Sequence, residues 1–204
     1  DTAYVASSGS DSNDGTSEKP FATLSKAYTM LNRGGKIVVK DTAVYEGTSK
    51  PILIEGESTS ANITLPAEIS LQSDLRLSNI TLSGASTIYA NGHNFIAESS
   101  VSSTDRLSVY GGCKSTDLVG DTYLTLLGGK YNNVYGGGYA GKVSGNTNIV
   151  LGCVDKDNNV NSLFRIKTDI SRTSWQYAVE IKSMLSINNV TKNELSGCII
   201  SSVV

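Results

Sequence analysis

Hydrophobic positions follow two different periods along the chain. Near the N-terminus, apolar residues recur three and four positions apart, at Leu24, Ala27, Tyr28 and Leu31. This spacing predicts one apolar face on a short α-helix. The pair Gly34-Gly35 follows where such a helix would end.

From about Val44 the helical period is replaced by apolar residues at alternate positions. This alternation is typical of half-buried β-strands, here only about three residues long. The predicted strands are Ile52-Leu53-Ile54, Ile63-Thr64-Leu65, Ile69-Ser70-Leu71, Leu75-Arg76-Leu77 and Ile80-Thr81-Leu82.

The segment from Leu75 to Leu82 indicates how these strands are connected. Its apolar residues cannot all face one side of a flat strand, because the step Ser78-Asn79 shifts the alternation. A bend at Asn79 allows all of them to be buried, since asparagine tolerates a left-handed backbone. A strand, a bend and a second strand form a corner of a β-helix.

The middle of the chain contains an internal repeat. Residues 109–112 (Val-Tyr-Gly-Gly) recur at 134–137, and the pattern of residues 120–126 recurs at 145–151. Both offsets are 25 positions, which suits one rung of a solenoid whose coils bury their apolar faces against their neighbours. The sequence therefore predicts an all-β, parallel β-helix with rungs of about 25 residues.

Three stretches of the chain differ in pattern. Residues 1–40 are interpreted as an N-terminal cap and residues 41–152 as β-helix coils. Residues 153–204, in which glycine becomes rare and Trp175 and Met184 occur, are either degenerate final coils or a C-terminal subdomain. We expect one domain, or a fragment of a longer chain, because the sequence stops on an apolar Ser-Ser-Val-Val.

Composition and charge narrow the range of partners and locations. Charged residues make up 18% of the chain, the net charge is −2 and no basic cluster is present, so we expect no nucleic-acid partner. No apolar run approaches about 18 residues, so we expect no membrane insertion. The 20 glycines, 10 tyrosines and many Ser, Thr and Asn residues favour a secreted or cell-surface protein. The start of the chain does not look like a signal peptide, so such a leader would have been removed or omitted.

The three cysteines, Cys113, Cys153 and Cys198, lack the spacing of metal ligands. We expect free, buried thiols, with one disulfide as the alternative.

The N-terminal residues resemble a known family. The motifs Tyr4-Val5-Ala6, Gly9-Ser10-Asp11, residues 13–16 and residues 20–24 resemble the N-terminal cap of pectate-lyase-like right-handed parallel β-helix proteins. Residues 88–93 and the Val-Tyr-Gly-Gly repeats are similar to coils of large surface proteins from Gram-positive gut bacteria. The resemblance implies a right-handed solenoid with a short capping helix. It also implies a superfamily of polysaccharide lyases, glycoside hydrolases and adhesin-like coils.

Carboxylates supply a candidate metal site. Asp117 and Asp121, with Lys114 nearby, could hold calcium and a uronic acid, with the lysine as the base. In the next copy of the repeat they are replaced by Lys142 and Asn146, which favours a solvated loop. Lyases of the resembled superfamily carry a calcium-binding carboxylate cluster that has no match here. We therefore predict no catalytic residue and no cofactor, with calcium the one metal considered.

Tyrosines interleaved with glycine are the other candidate chemistry. Tyr110 and Tyr135 lie one period apart, and they either stack on each other as a ladder or belong to a binding platform. Residues without a repeat partner are better candidates for exposure to a sugar ring. The predicted carbohydrate contacts are Tyr131, Tyr139, Trp175, Asn132 and Asn133.

These patterns favour a non-catalytic carbohydrate-binding or adhesive module of a secreted or cell-surface bacterial protein. Its partners would be a polysaccharide or glycan and other domains of a longer surface protein. The alternative is a polysaccharide lyase or glycoside hydrolase acting on plant or host glycans. A plain spacer is a third interpretation.

Overall fold

The computed structural model describes residues 1–154 and 160–168, with side chains through Gly152. These residues form one short helix and sixteen strands. The elements are α1 (Leu24–Met30) and β1 (Thr2–Val5), β2 (Gly35–Val39), β3 (Thr42–Val44), β4 (Ile52–Gly56), β5 (Asn62–Thr64), β6 (Glu68–Ser70), β7 (Leu75–Ser78), β8 (Thr81–Ser83), β9 (Thr87–Tyr89), β10 (Phe95–Ala97), β11 (Ser102–Ser103), β12 (Leu107–Tyr110), β13 (Thr122–Leu126), β14 (Tyr131–Tyr135), β15 (Thr147–Val154) and β16 (Val160–Thr168).

The strands are distributed over three sheets. The long sheet has the order β1-β2-β4-β7-β10-β13-β15-β16, the second sheet β11-β8-β5-β3 and the third sheet β14-β12-β9-β6. All pairs are parallel except the last, β15 with β16, which is antiparallel. The described residues are thus mostly β and form a solenoid of about six turns.

One apolar core runs inside the solenoid. Alternate residues of each short strand point inward, as in β4, where Ile52 and Ile54 are buried and Leu53 between them is not. The largest fully buried side chains come from all three sheets and the turns between them. They are Phe21, Phe95, Ile37, Ile54, Ile63, Leu71, Ile80, Leu82, Leu107, Leu124, Leu126 and Val5.

The predicted corner at Asn79 is confirmed. Asn79 has a left-handed backbone with φ of 47°, and Leu75, Leu77, Ile80 and Leu82 are all buried. Its side-chain amide donates a hydrogen bond to the carbonyl of Gly56 on the preceding rung (2.8 Å). Asn91 has the same backbone form (φ 53°) and donates to Leu71 O at 2.8 Å. Asparagine at these corners therefore supplies both the turn and a bond between rungs.

The predicted rung length holds for only part of the solenoid. Leu124 lies opposite Ile149 at the expected 25 positions. Ile52, however, lies opposite Leu75, and Leu75 lies opposite Phe95, which makes those rungs 23 and 20 residues long. Strand register is conserved while the connections vary, because the core constrains the strands and not the exposed turns.

Helix α1 lies where the apolar spacing predicts it. The Thr23 hydroxyl caps it by accepting a hydrogen bond from the backbone N–H of Lys26 at 3.0 Å. Leu24, Ala27, Tyr28 and Leu31 are all buried, and the helix packs against β1 and β2.

No helix among the described residues is long and apolar enough to cross a membrane.

Candidate functional site

A stack of tyrosines lines the outer face of the third sheet. Tyr89, Tyr110 and Tyr135 occupy paired positions of β9, β12 and β14. Their ring centroids lie 5.3 Å and 4.6 Å apart, and both pairs are stacked. Tyr139 meets Tyr89 and Tyr110 edge-on, at 6.5 Å and 5.6 Å. Tyr110 and Tyr135 therefore stack on each other as a ladder, which is one of the two arrangements that the repeat predicts.

Strand register explains the stack. Neighbouring strands lie about 4.7–4.9 Å apart, so rings at paired positions face each other near stacking distance. Glycine follows each of the last two rings, and there the next turn passes close by. A Cβ at Gly136 would lie 2.5 Å from the Cβ of Thr147.

An ion pair borders the tyrosine stack. The Lys114 ammonium donates to both carboxylate oxygens of Glu68, at 2.9 Å and 2.7 Å. It also lies 5.9 Å from the centre of the Tyr89 ring. The hydrogen bond to Glu68 raises the pKa of Lys114. Burial, and then the Glu68 charge, raise the pKa of Tyr89.

Both pKa shifts point away from neutrality, so the lysine is charged and the phenol neutral at pH 7, as they are at their ordinary pKa values. Burial raises the pKa of Tyr110 as well. A general base or an activated nucleophile needs a pKa moved toward neutrality. The described surface thus combines three stacked rings, a fourth ring set edge-on to two of them, and the Lys114–Glu68 ion pair.

The predicted carbohydrate contacts do not form one surface. Tyr131 is 8% exposed, and its hydroxyl donates to Gly128 O at 2.7 Å. Asn132 is exposed and Asn133 is half-buried. The register of β12 with β14 skips Asn132, so a bulge places Tyr131 in the core and the next residue outside.

Of the two remaining predicted contacts, Tyr139 is 64% exposed. Trp175 lies outside the described residues. The expectation of an exposed Tyr131 is corrected by its position in the core.

Asp117 and Asp121 serve as acceptors between rungs. Asp117 Oδ1 accepts the backbone N–H of Lys142 at 2.8 Å, and Asp121 Oδ1 accepts that of Asn146 at 2.7 Å. The Tyr123 hydroxyl donates to Asp121 Oδ2 at 3.1 Å, which raises the pKa of Tyr123. Each carboxylate thus bonds to the turn 25 positions later. No group of three or more His, Cys, Asp or Glu suited to a metal occurs among the residues that the structure describes.

A groove of about 410 Å³ lies between the turns that follow β3 and β5. Tyr45 is buried in its wall, and burial raises the pKa of Tyr45 to about 12. Glu46 on the same wall accepts the backbone N–H of Ser25 at 3.1 Å. The sequence did not indicate this groove, because its lining comes from turns of different rungs.

The thiol of Cys113 is free and half-buried. The side chains of Cys153 and Cys198 lie outside the described residues.

Strand β15 joins two kinds of pairing. It is parallel to β13 from Thr147 to Leu151, and antiparallel to β16 along its whole length. The turn before it is held to the preceding rung, since Gly145 N donates to Gly120 O at 3.0 Å. The end of the parallel solenoid and the start of an antiparallel hairpin are therefore the same strand.

This strand is also where similarity to known proteins begins. The family model for type III pantothenate kinase matches residues 144–204. A type III pantothenate kinase of Exiguobacterium sp. is 47% identical over 60 residues, 29% of this chain and 23% of that protein. One of Finegoldia magna is 45% identical over 60 residues, 29% of this chain and 22% of that protein. The chain thus spans less than a quarter of the length of these relatives. No solved structure matches it.

These matches overturn the predicted function. The prediction of a non-catalytic carbohydrate-binding or adhesive module is wrong, and so is its alternative of a polysaccharide lyase or glycoside hydrolase. The expectation of no enzymatic activity is contradicted as well, because both relatives are enzymes by name.

The predicted partner and location are corrected by the same finding. The relatives are named as pantothenate kinases, not as polysaccharide-binding, secreted or surface proteins. The predictions of a glycan partner and of a secreted or cell-surface location were drawn from Ser, Thr, Asn, Gly and Tyr content. Of these residue types only glycine and tyrosine are concentrated before the matched segment, with 17 of the 20 glycines and 9 of the 10 tyrosines in residues 1–143, whereas Ser, Thr and Asn are as frequent inside the match.

Sequence reasoning missed the matched segment for a specific reason. Residues 145–151 fit the 25-residue repeat, and this fit predicts one more coil. The signal for a different unit came afterwards, as glycine became rare and Trp175 appeared. The structure adds a second signal, which is strand length. Strands β15 and β16 have eight and nine residues, whereas β1 to β14 have two to five.

Proposed function

We propose that residues 144–204 belong to a phosphotransferase unit of the pantothenate kinase type, carried on a β-solenoid. The observation that supports this is the 47% and 45% identity to two type III pantothenate kinases over 60 residues. Identity at this level over one continuous segment exceeds what shared β periodicity alone produces. The reaction would move a phosphoryl group from a nucleotide such as ATP to pantothenate.

The described part of the match does not itself present a phosphate site. The backbone N–H groups of Gly145 and Asn146 are donors of the kind that bind phosphate. Both are already bonded, to Gly120 O and to the Asp121 carboxylate. A phosphoryl group at this turn would also face the negative charge of Asp121. The proposal therefore rests on the sequence identity.

The test combines turnover with binding. The purified protein is incubated with ATP and pantothenate, and ADP release and phosphorylated pantothenate are measured. We expect ADP release that depends on pantothenate, with a curated relative as positive control and pantothenate omitted as the negative one.

Binding is followed through Trp175, the single tryptophan of the chain, which lies inside the matched segment. Excitation where tyrosine does not absorb isolates this segment from the ten tyrosines. We expect its fluorescence to change when ATP or pantothenate is added. No turnover and no fluorescence change with either ligand, while the relative is active, would exclude the proposal.

We also infer that the solenoid is right-handed and related to the pectate-lyase-like β-helix proteins, with α1 over its N-terminal end. Parallel crossover connections are right-handed in about 98% of cases. Helix α1 packs against β1 and β2, the first two strands of the long sheet. An experimental structure with left-handed coils, or with α1 displaced from β1, would overturn this inference.

Within this proposal the chain has two units, the solenoid and a C-terminal unit. The match begins at residue 144, whereas the change in sequence pattern places the last region at 153–204. The two boundaries differ by nine residues, which comprise the turn before β15 and most of that strand.

A further inference from the structure

We propose that β15 is a shared strand, which is the last parallel strand of the long sheet and holds β16 of the kinase-like segment in place. The folded state of β16 then depends on the solenoid. This goes beyond the proposed function, because it concerns how the two units are joined and holds whichever reaction the chain catalyses.

The first argument is that one stretch of sequence fits two patterns. Residues 145–151 repeat the pattern of 120–126, and they are also the first residues of the kinase-family match. A solenoid that ended before this stretch would leave the edge of β13 open. A kinase-like segment that began after it would lack the strand with which β16 pairs.

The parallel edge of β15 is built like the earlier rungs. Five consecutive residues of β13 and β15 are in register, from Thr122 opposite Thr147 to Leu126 opposite Leu151. Ile149 is 3% exposed and belongs to the same apolar core as its partner Leu124. Strand β15 is therefore a full member of the solenoid.

The antiparallel edge carries the hairpin. The register runs from Thr147 opposite Thr168 to Val154 opposite Val160, along all of β15. Among the described strands, β16 pairs with β15 alone. The backbone hydrogen bonds of β16 therefore form only while β15 stays in place.

The turn before β15 is fastened to the rung below it. The Asp121 carboxylate accepts Asn146 N–H at 2.7 Å, and Gly120 O accepts Gly145 N–H at 3.0 Å. The missing side chain of Gly136 leaves room for Thr147, whose Cβ would lie 2.5 Å from a Cβ at that position. These contacts fix where β15 starts.

Hydrogen–deuterium exchange of the whole chain tests the coupling. Asp121→Ala removes the acceptor for Asn146 N–H, and Gly136→Ala forces Thr147 away from its place. We expect faster exchange in residues 145–154 and, by the coupling, in residues 160–168. The increase should be about two- to tenfold, as for the loss of one hydrogen bond. Asp121→Asn keeps an oxygen acceptor and should stay close to the wild type.

A matched control removes the same kind of bond elsewhere. Asp105 accepts Gly84 N–H at 3.0 Å at another corner. Asp105→Ala should speed exchange near Gly84 and leave residues 160–168 unchanged. Unchanged exchange of 160–168 in both Asp121→Ala and Gly136→Ala, with faster exchange of 145–154, would overturn the shared strand. Because the readout is exchange, failure of the kinase assay does not affect this test.

Discussion

The solenoid and the β15–β16 hairpin are both β structure, yet they reach stability by different routes. Strands β1 to β14 have two to five residues each and pair in parallel, so their partners are some 20 positions or more away in most rungs. Strands β15 and β16 have eight and nine residues and pair with a close neighbour in sequence. The solenoid thus depends on a continuous core, and the hairpin depends on one ladder.

This comparison shows that a repeated sequence pattern does not by itself mark where one structural unit ends. The end of the repeat and the start of the kinase-like match occupy the same residues, 145–151. Each of the following predictions tests whether the solenoid really depends on its core, its corners and its stacked rings as this comparison requires.

The largest effect is expected from the core. Phe95 is fully buried in β10, between paired positions of β7 and β13. Phe95→Ala should lower the free energy of unfolding by about 3–5 kcal/mol, from lost burial and the cavity left behind. Denaturant unfolding measures this, and Val119→Ala at a 91% exposed position is the control. A loss below about 1 kcal/mol would mean that the core does not dominate the solenoid.

The corners should come next. Asn79→Ala places alanine, which tolerates a left-handed backbone less well than asparagine, at φ of 47° and removes the bond to Gly56 O. The strained backbone and the lost hydrogen bond together should lower the free energy of unfolding by about 2 kcal/mol, measured by thermal unfolding. Asn79→Gly tolerates the backbone and loses only the bond, so about half the effect is expected. Equal effects of the two substitutions would show that backbone conformation does not matter at this corner.

A smaller effect should appear at high pH. Burial raises the pKa of Tyr45 to about 12, so in the range between pH 10 and 12 the unfolded chain ionises while the folded chain does not. The contribution of the neutral, buried Tyr45 to the free energy of unfolding is fully present below pH 10. It decreases as the pH rises, by about 1 kcal/mol at pH 11. Melting temperatures measured over this range should fall less in Tyr45→Phe. Identical pH profiles for the two proteins would contradict the burial of this hydroxyl.

The smallest effect belongs to the tyrosine stack. Tyr110 has a stacked ring on each side, whereas Tyr135 has one stacked neighbour, Tyr110, among the described residues. Tyr110→Leu should therefore cost about 1 kcal/mol and Tyr135→Leu about 0.5 kcal/mol in the free energy of unfolding. The reverse order would indicate that ring stacking does not stabilise the third sheet.

Much of the solenoid could be predicted from local pattern. The apolar spacing from Leu24 to Leu31 placed the helix, and the phase shift at Asn79 placed a corner. The offset of 25 put Val109 opposite Val134. The helix and the corner depend on a few neighbouring residues, and the pairing of Val109 with Val134 follows from the internal repeat, so the sequence alone predicts all three.

Features that depend on contacts between distant turns could not be predicted in this way. Alternation counted back from the buried Val134 places Tyr131 outside, and the bulge at Asn132 turns Tyr131 into the core instead. The groove near Tyr45 is formed by turns of separate rungs. The kinase-like segment was hidden because its first strand satisfies the solenoid pattern as well.

The pairing of Leu124 with Ile149 at 25 positions has an evolutionary consequence. Asp121 bonds to the turn at Asn146, and Asp117 bonds to Lys142, across the same interval. A tandem duplication of 25 residues here would carry its own strand, turn and acceptors with it. It would lengthen the solenoid by one layer of about 4.8 Å. Genes can therefore gain or lose length at this place in steps that the fold accepts.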